Sequence, residues 1–412
     1  MRGQGVNEIA LAARLPAAIS PSRTRSMPVD TPPPAQSLEV DGNRLTLIPD
    51  GPGRLAALLA LIDGAKSSVR LLYYIYSQDQ SGTLVYEAID RALDRGTQVS
   101  LLVDGFGLNA SEDYFSPLVA KGLVFCKFHP TFGRRYLIRN HQKMALADEK
   151  VVLIGGFNVE DSYFGTVAEG AWRDLGLLVE GTAAGRLVPY YDKLIAWALT
   201  KGSRIRELNR LIHLHSENHG RLQWTLGGPT RGLSPWATAT SRDLLSSRDV
   251  EMIAAYFAPT WAMLRRIGRI GQKGRARIVT AAKSDNHATI AAARYTYKNL
   301  LRRGVEIFEY LPTKLHTKLV VLDDIVHIGS SNFDIRSLYL NLEMMLRVDD
   351  PDFAMMMRNY FEQELSACEQ ITPLVNRKRS GLWTRLIQAL SFFLVTTADY
   401  TVTRRLNFGP RI

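Results

Sequence analysis

A pattern of three chemically active residue types, His-x-Lys-x-x-x-x-Asp, occurs twice in this chain. The six residues that form the two copies are His141, Lys143, Asp148, His316, Lys318 and Asp323. Each copy supplies an imidazole, which can act as a nucleophile or as an acid and base, and an ammonium group, which can neutralise a phosphate. Among eight histidines, chance would produce roughly 0.03 such matches. The duplication therefore predicts one shared, symmetric pocket for a phosphodiester, with all six as candidate catalytic residues.

Small residues and an asparagine follow each copy after an apolar stretch. The first copy continues to GGFN, which ends at Asn158, and the second to GSSN, which contains Ser330 and ends at Asn332. Small residues let the backbone approach a ligand, and an amide can donate to a phosphoryl oxygen. We therefore predict that Asn158, Asn332 and Ser330 bind the phosphate. Arg336, just beyond the second asparagine, is a candidate to border the pocket.

Each motif lies in a stretch that has the pattern of a β-hairpin. His141 and Lys143 are two residues apart, so both side chains point to the same face of a strand and can reach one phosphate. Asp148 falls at the turn of that hairpin, and Asp323 falls at the corresponding turn of the second copy. We expect these two aspartates to hold the turns rather than to react, although they belong to the motif.

Two imidazoles facing one phosphodiester predict a two-step transfer. One histidine attacks phosphorus and forms a phosphohistidine, while the other protonates the departing alkoxide and then deprotonates the incoming hydroxyl. The lysines and asparagines stabilise charge on the phosphoryl oxygens, so no metal ion or other cofactor is expected. Asp174 and Glu343, each in a strand-like segment beyond one of the histidines, are predicted to orient the imidazoles. The alternative for both carboxylates is an ordinary salt bridge at the edge of the core.

Strand and helix patterns occur in the same order around both copies. The first half has a buried strand over 68–76, a helix over 83–95 and a strand over 98–105, and the second half has a helix over 287–304 followed by a strand over 305–310. Strands joined by single helices are typical of α/β folds with parallel pairing. The repeat predicts an α/β protein made of two fused, duplicated domains.

The predicted divisions of the chain follow from local composition. Polar and Pro-rich residues predict a disordered N-terminal tail, in which Met27 is an alternative start, and a polar, turn-rich stretch predicts a linker between the halves. The divisions are 1–36 for the tail, 37–205 for the first domain, 206–235 for the linker, 236–372 for the second domain and 373–412 for a basic and apolar C-terminal segment. In that last segment, the apolar run 386–398 has cations on both sides, which suits an interfacial membrane helix. A helix packed on the protein's own core is the alternative.

The overall composition restricts the classes of function. A hydrophobic content of 46% describes a globular protein, and a net charge of +11 favours anionic partners, either nucleic acid or lipid headgroups. No run reaches the ~18 apolar residues of a membrane span. The two cysteines, Cys126 and Cys368, show no metal or disulfide spacing. These features predict a cytoplasmic protein with free thiols.

Both motifs, with GGFN and GSSN behind them, resemble the phospholipase D superfamily, and the resemblance covers essentially 45–370. The runs LHTKLVVLDD (315–324) and GSSNFDIRSLYLNLE (329–343) resemble, more narrowly, bacterial cardiolipin synthases of the short class without transmembrane spans. The resemblance implies a pseudo-twofold pair of α/β/α domains with one metal-independent active site at their interface. It also implies that His141 is the nucleophile and His316 the acid and base, which the symmetric motifs alone leave open.

The leading hypothesis is phosphatidyl transfer, in which cardiolipin is made from phosphatidylglycerol and a second phospholipid. Hydrolysis of phospholipids to phosphatidic acid is the first alternative, and a nuclease or phosphodiesterase and a catalytically silent membrane-binding protein are weaker ones. The expected partners are anionic phospholipids at a membrane surface, with no nucleic acid, and the enzyme is expected to be a monomer. The expected location is the cytoplasmic face of the inner membrane, as a peripheral protein. A soluble cytoplasmic or secreted protein is the alternative.

Overall fold

A computed structural model of the chain describes residues 36–111, 113–128, 138–230 and 232–398. The predicted tail over 1–36, with the alternative start at Met27, therefore lies outside the described residues except for its last residue. The end of the C-terminal segment, over 399–412, lies outside them as well.

The first half contains both strands and helices. Its described strands are β1 Ser37–Val40, β2 Asn43–Ile48, β3 Ser68–Tyr73, β4 Tyr76–Ser77, β5 Gln98–Asp104, β6 Leu108–Asn109, β7 Val124–Phe128, β8 Met144–Ala147, β9 Val151–Gly155 and β10 Gly176–Glu180. Its described helices are α1 Gly51–Gly64, α2 Gln80–Asp94, α3 Ser116–Ala120, α4 Asp161–Phe164, α5 Thr182–Gly185, α6 Val188–Leu199 and α7 Ile205–His215.

The second half repeats this mixture. Its described strands are β11 Leu222–Gly227, β12 Asp249–Ala254, β13 Phe257–Ala258, β14 Arg275–Ala281, β15 Glu306–Tyr310, β16 Lys318–Leu322, β17 Ile325–Gly329, β18 Phe333–Asp334, β19 Glu343–Asp349 and β20 Cys368–Gln370. Its described helices are α8 Pro235–Ser246, α9 Trp261–Lys273, α10 His287–Leu301, α11 Ile335–Tyr339, α12 Pro351–Leu365, α13 Pro373–Arg379 and α14 Leu382–Phe393, which a π-helical turn over Leu394–Ala398 extends.

Each half is built around a mixed sheet of eight strands. The first sheet has the order β1-β2-β10-β9-β8-β3-β5-β7, and the second has the order β11-β19-β17-β16-β12-β14-β15-β20. From β10 to β7 and from β19 to β15 the two orders correspond strand by strand. In each sheet the motif hairpin pairs antiparallel with a strand, β3 or β12, whose other neighbour runs parallel to it. This confirms the predicted α/β fold of two duplicated domains.

The predicted strand, helix and strand of the first half are present as β3, α2 and β5. The central strand β5 is buried along most of its length, as expected for a parallel strand covered on both faces. Helix α2 begins after Asp79, whose carboxylate accepts a hydrogen bond from the N–H of Gly82 at 2.8 Å. The chain leaves the helix through Gly96, which has a φ of 79° that favours glycine.

The halves share one apolar core. A single buried cluster contains Leu72 and Ile154 from the first sheet and Val321 and Leu346 from the second. Two further clusters each lie within one half. Burial between the halves therefore fixes how the two sheets meet, and with it the position of the two motifs.

Residues 206–235, predicted as a linker, instead add structure to this core and to the second sheet. Leu208, Leu211 and Ile212 recur at helical spacing on α7 and are buried in the shared core. Strand β11 is fully buried and pairs antiparallel with β19. The structure therefore corrects this boundary, because an amphipathic helix and an apolar strand occur within the polar stretch.

Within residues 36–398, apart from the two internal gaps and Arg231, no helix combines the length and apolar character that crossing a bilayer requires.

Candidate active site

The two motif segments meet where one half of the chain contacts the other. His141 lies just before β8, and its N–H donates to the carbonyl oxygen of Leu342 at 2.9 Å. His316 lies just before β16, and its N–H donates to the carbonyl oxygen of Arg173 at 2.7 Å. Leu342 belongs to the second half and Arg173 to the first. The backbone of each histidine is therefore held by the half that does not contain it.

Both imidazoles border one cavity of about 800 Å³. Asn158, Asn332 and Arg336 line the same cavity. Aromatic rings pack against both histidines: the ring centroid of Tyr74 lies 5.2 Å from that of His141, and that of Trp172 lies 5.1 Å from that of His316. The structure thus brings the histidines and asparagines of both motifs to one place, with an aromatic ring beside each histidine.

The two predicted carboxylates cross between the halves. Nδ1 of His141 lies 3.1 Å from both carboxyl oxygens of Glu343, which belongs to the second half. Nδ1 of His316 lies 2.7 Å from Oδ2 of Asp174, which belongs to the first half. Since Nδ1 of each ring is engaged, Nε2 is the candidate reactive nitrogen. Each carboxylate therefore contacts the histidine of the other motif and not that of its own.

The two histidine and carboxylate pairs differ in charge. Burial opposes ionisation of Asp174, but its interaction with His316 and the positive charge of Lys318 outweigh burial and lower the pKa of this carboxyl. Burial raises the pKa of Glu343 to about 8, and attraction to Lys143 only partly offsets it. Asp174 is thus ionised at neutral pH, whereas Glu343 is mostly protonated. The pocket is symmetric in topology and asymmetric in electrostatics.

Both imidazoles are uncharged at neutral pH. Burial, followed by the charge of Lys318, lowers the pKa of His316 to about 3, although Asp174 acts in the opposite direction. Burial, followed by the charge of Lys143, lowers the pKa of His141 well below its usual value. A neutral imidazole retains the lone pair that attack on phosphorus requires.

The two motif lysines are buried beside the histidines. Nζ of Lys143 donates to the carbonyl oxygen of His141 at 2.6 Å, and Nζ of Lys318 donates to the carbonyl oxygen of His316. Burial lowers the pKa of Lys318 to about 8 and that of Lys143 well below its usual value. An anion close to these groups would offset the burial cost, because it would favour their charged forms.

The small residues behind the motifs make room for the carboxylates. A side chain at Gly156 would bring its Cβ within 2.7 Å of both carboxyl oxygens of Asp174. At the matching position of the second half, the hydroxyl of Ser330 donates to Oε2 of Glu343 at 2.5 Å and accepts from the N–H of Met344 at 3.0 Å. The hydroxyl of Ser330 is therefore engaged by the carboxylate and by the backbone, and phosphate binding by Ser330 stays a prediction.

The two asparagines have different surroundings. Oδ1 of Asn158 accepts a hydrogen bond from the N–H of Ile75 at 3.0 Å, which orients its amide at the cavity wall. Asn332 is buried, and its Oδ1 has no hydrogen-bond partner among the described residues. Both amides border the cavity and can donate to a phosphoryl oxygen there.

The motif aspartates lie at the hairpin turns and not in the cavity. The carboxylate of Asp148 accepts from the N–H groups of Lys66, Ser67 and Ser68, and these hydrogen bonds lower its pKa although burial opposes them. Asp323 accepts from the N–H of Asp249 at 2.9 Å. Both have a positive φ, of 50° and 49°, which suits a tight turn. The two aspartates are therefore not positioned to react, in contrast to the prediction that all six motif residues are catalytic. Each ties its motif hairpin to the start of the neighbouring strand.

Several lining residues were not predicted from the sequence. They include Tyr74, Trp172, Arg139, Glu160, Asp285 and Asp334. The guanidinium carbon of Arg139 lies 3.8 Å from the ring centroid of Phe106. Arg139 is two residues before His141, and this spacing could have predicted that it lies on the same side of the chain as His141 and Lys143. Within the described part of the chain, no three His, Cys, Asp or Glu side chains are grouped as a metal site requires.

Sequence comparison finds relatives that match both halves of the chain. The family described as "Cardiolipin synthase, PLD-like domain" matches residues 58–176 and 242–365, one match in each half. A cardiolipin synthase of Listeria monocytogenes serotype 4a is 28% identical over 366 residues, which cover 85% of this chain and 75% of the relative. Cardiolipin synthase B of Shigella flexneri is 27% identical over 376 residues, which cover 86% and 87%.

A solved structure has the same fold at lower identity. The crystal structure of phosphatidylserine synthase from Haemophilus influenzae Rd KW20 superposes with a TM-score of 0.67 and 13% identity, covering 90% of this chain and 96% of that chain. Together the family matches span most of both halves and include both His-x-Lys motifs. The chain therefore belongs to the cardiolipin synthase family with phospholipase D-like domains, a family of phospholipid-modifying enzymes.

Proposed function

We propose that the enzyme transfers a phosphatidyl group between phospholipids through a phosphohistidine, and that its main product is cardiolipin made from phosphatidylglycerol and a second phospholipid. One observation carries the proposal. Two neutral histidines border one cavity, and the Nδ1 of each contacts a buried carboxylate from the other half. The similarity to cardiolipin synthases supports the choice of substrate.

In the first step, Nε2 of His141 attacks the phosphorus of the donor lipid. The new N–P bond replaces the P–O bond to the leaving alcohol, which is glycerol when phosphatidylglycerol is the donor. His316 gives a proton to the leaving oxygen. The bound phosphodiester anion and the ionised Asp174 both favour the charged form of His316, so substrate binding allows this ring to carry the proton.

In the second step, a hydroxyl of the acceptor lipid attacks the phosphohistidine. His316 takes the proton of that hydroxyl, and the N–P bond to His141 breaks. Lys143 and Lys318, together with Asn158, stabilise charge on the phosphoryl oxygens in both steps. The same site would hydrolyse lipid if water replaced the acceptor hydroxyl.

The electrostatic difference between the two pairs supports this division of roles. A histidine that must repeatedly become an imidazolium benefits from a full negative charge at Nδ1, which His316 obtains from Asp174. His141 faces Glu343, whose raised pKa leaves it mostly protonated, so this ring stays neutral and nucleophilic. We further propose that the enzyme acts as a monomer, because its two halves supply both motifs, and that it works peripherally at the cytoplasmic face of the membrane.

Purified protein incubated with phosphatidylglycerol, with and without added alcohols, tests the reaction. Cardiolipin and glycerol are the expected products. Phosphatidic acid as the sole lipid product would show that the enzyme is a hydrolase and not a synthase. Cleavage of DNA without any change in the lipid would reject both lipid activities. H141N should abolish turnover, whereas H213N, which changes an exposed histidine on α7, should not.

The intermediate has a separate test. In H316A the residue that acts as acid and base is missing. A donor lipid with a good leaving group should still transfer its phosphatidyl group to the enzyme, while release of that group to an acceptor slows. Mass spectrometry should then find the phosphatidyl group on the peptide that contains His141. A label on another residue would reject the assignment of the nucleophile.

A further inference from the structure

Helix α14 carries an apolar face that no other described part of the protein covers. Six of its side chains have between 53% and 86% of their surface exposed: Leu382, Trp383, Leu386, Ile387, Leu390 and Phe393. At about 100° per residue they fall within about 140° of the helix circumference. Exposed large apolar side chains clustered on one face mark a binding surface.

The opposite face of α14 holds the helix on the second domain. Gln388, Ser391 and Phe392 are buried. The ring centroid of Phe392 lies 4.9 Å from that of Tyr295 on α10 and 5.2 Å from that of Trp261 on α9. The helix is therefore packed against the protein on one side, as one of the two expectations for this segment has it, while it presents its most apolar side outward.

All the charged side chains in the segment around α14 are basic. Residues 373–398 contain no aspartate or glutamate, and their charged side chains are Arg377, Lys378, Arg379 and Arg385. Arg379 pairs with Glu369 at 2.7 Å, whereas Arg377, Lys378 and Arg385 are exposed. Cations beside an apolar face complement a bilayer with anionic headgroups, because the side chains insert while the cations remain at the phosphates.

The same helix leads to the candidate active site. Leu394 and Val395, in the π-helical turn that extends α14, line the cavity that contains both histidines. Helix α14 has 12 residues and the π-helical turn that extends it has 5, so the two together are about 25 Å long, and a bilayer core is about 30 Å thick. The helix is therefore too short to cross the core and suited to lie along its surface.

We propose that α14 docks on an anionic phospholipid bilayer with its exposed apolar face inserted, so that the cavity receives lipid directly from that membrane. The docking of α14 does not depend on the proposed function. Only the statement that a lipid enters the cavity rests on it. A second copy of the chain is the less suitable occupant, because the cations around α14 on two facing copies would repel each other.

Vesicle binding by the full chain tests the docking. Sucrose-loaded vesicles of equal parts phosphatidylglycerol and phosphatidylcholine are pelleted with wild type, with L386S/L390S, and with L199S/L214S as the matched control. Leu199 and Leu214 are similarly exposed but lie on α6 and α7. L386S/L390S should bind about a hundredfold more weakly, from about tenfold for each inserted side chain, and the control should bind like wild type. Binding of wild type should also fall with added salt.

Turnover of monomeric dihexanoyl-phosphatidylglycerol separates this inference from the proposed function. L386S/L390S should process this soluble lipid at the wild-type rate while it loses activity on vesicles. If wild type turns over no lipid but still binds vesicles through Leu386 and Leu390, the docking stands and the proposed function fails.

Three results would overturn the docking. The first is wild-type vesicle binding by L386S/L390S, and the second is an equal loss of monomer turnover and vesicle binding in that variant, which would make α14 a structural helix only. The third is a wild-type dimer in solution that L386S/L390S dissociates, without vesicle binding by either protein.

Discussion

Replacing Asp174 by asparagine should reduce turnover far more than replacing Glu343 by glutamine. In the proposed mechanism an imidazolium forms on His316, and D174N removes the full negative charge that contacts this ring at 2.7 Å. Two unit charges about 4 Å apart attract by about 4 kcal/mol at an effective dielectric constant near 20. A loss of about 3 to 4 kcal/mol from the transition state corresponds to a fall in kcat of about 150- to 900-fold.

E343Q is the matched control, because it changes the same kind of group in the other pair. The raised pKa of Glu343, about 8, means that this side chain is mostly uncharged at pH 7. Glutamine keeps the size of this side chain, and it can accept from one of the hydroxyls of Ser330 and Ser337 and donate to the other. The expected loss at pH 7 is therefore about fivefold, the worth of one neutral hydrogen bond. Above pH 8 Glu343 ionises, and the deficit of E343Q relative to wild type should change there.

The assay is steady-state transfer measured from pH 6 to 9 with both variants, after their unfolding temperatures show that each is folded. The ratio of the two losses at pH 7 is the decisive quantity. If E343Q lost as much kcat as D174N at pH 7, the unequal charge of the two carboxylates and the division of roles between His141 and His316 would both be refuted.

Three further predictions concern other parts of the motifs. D148A should lower the free energy of unfolding by about 1 to 2 kcal/mol through the loss of backbone hydrogen bonds at a partly exposed site, with kcat unchanged. Because the folded-state pKa of Asp148 is depressed, this difference should be full above pH ~5 and shrink as the pH falls below ~4, which urea unfolding at several pH values would measure. G156A should lower kcat by about tenfold to a hundredfold, since its Cβ would displace Asp174, whereas G64A, whose Cβ meets nothing within 4 Å, should leave kcat unchanged. Lys318 is charged below its pKa of about 8, so kcat/KM for the anionic lipid should fall as the pH rises above that value, and K318R, whose guanidinium stays charged over this range, should remove this fall.

The sequence predicts this architecture well where a local pattern determines it. The His-x-Lys spacing and the apolar strands around it predict the two hairpins, and the position of Asp148 between two strand patterns predicts its turn. The partners of each histidine could not be predicted in the same way. Whether His141 meets Asp174 or Glu343 depends on how two sheets pack, and no short-range pattern carries that information.

Two other features lay beyond local reasoning for the same cause. The position of Ser330 close to Asn332 predicts a phosphate ligand. In the structure its hydroxyl donates to Glu343, which lies on another strand, and no local pattern indicates this contact. Residues 206–235 were predicted as a linker because the stretch is polar and rich in turn residues, although apolar side chains of α7 align on the face that meets the shared core.

The crossed carboxylates also determine when the reactive group first exists. During translation the first half emerges with His141 and Asp174 but without Glu343 and His316. Its imidazole therefore lacks the contact that orients it and the second ring that completes the reaction until the chain has been made through β19 and the halves have packed together. A nascent chain that ends before β19 therefore lacks the carboxylate that contacts His141, and the two crossed pairs form together only when synthesis and folding are nearly complete.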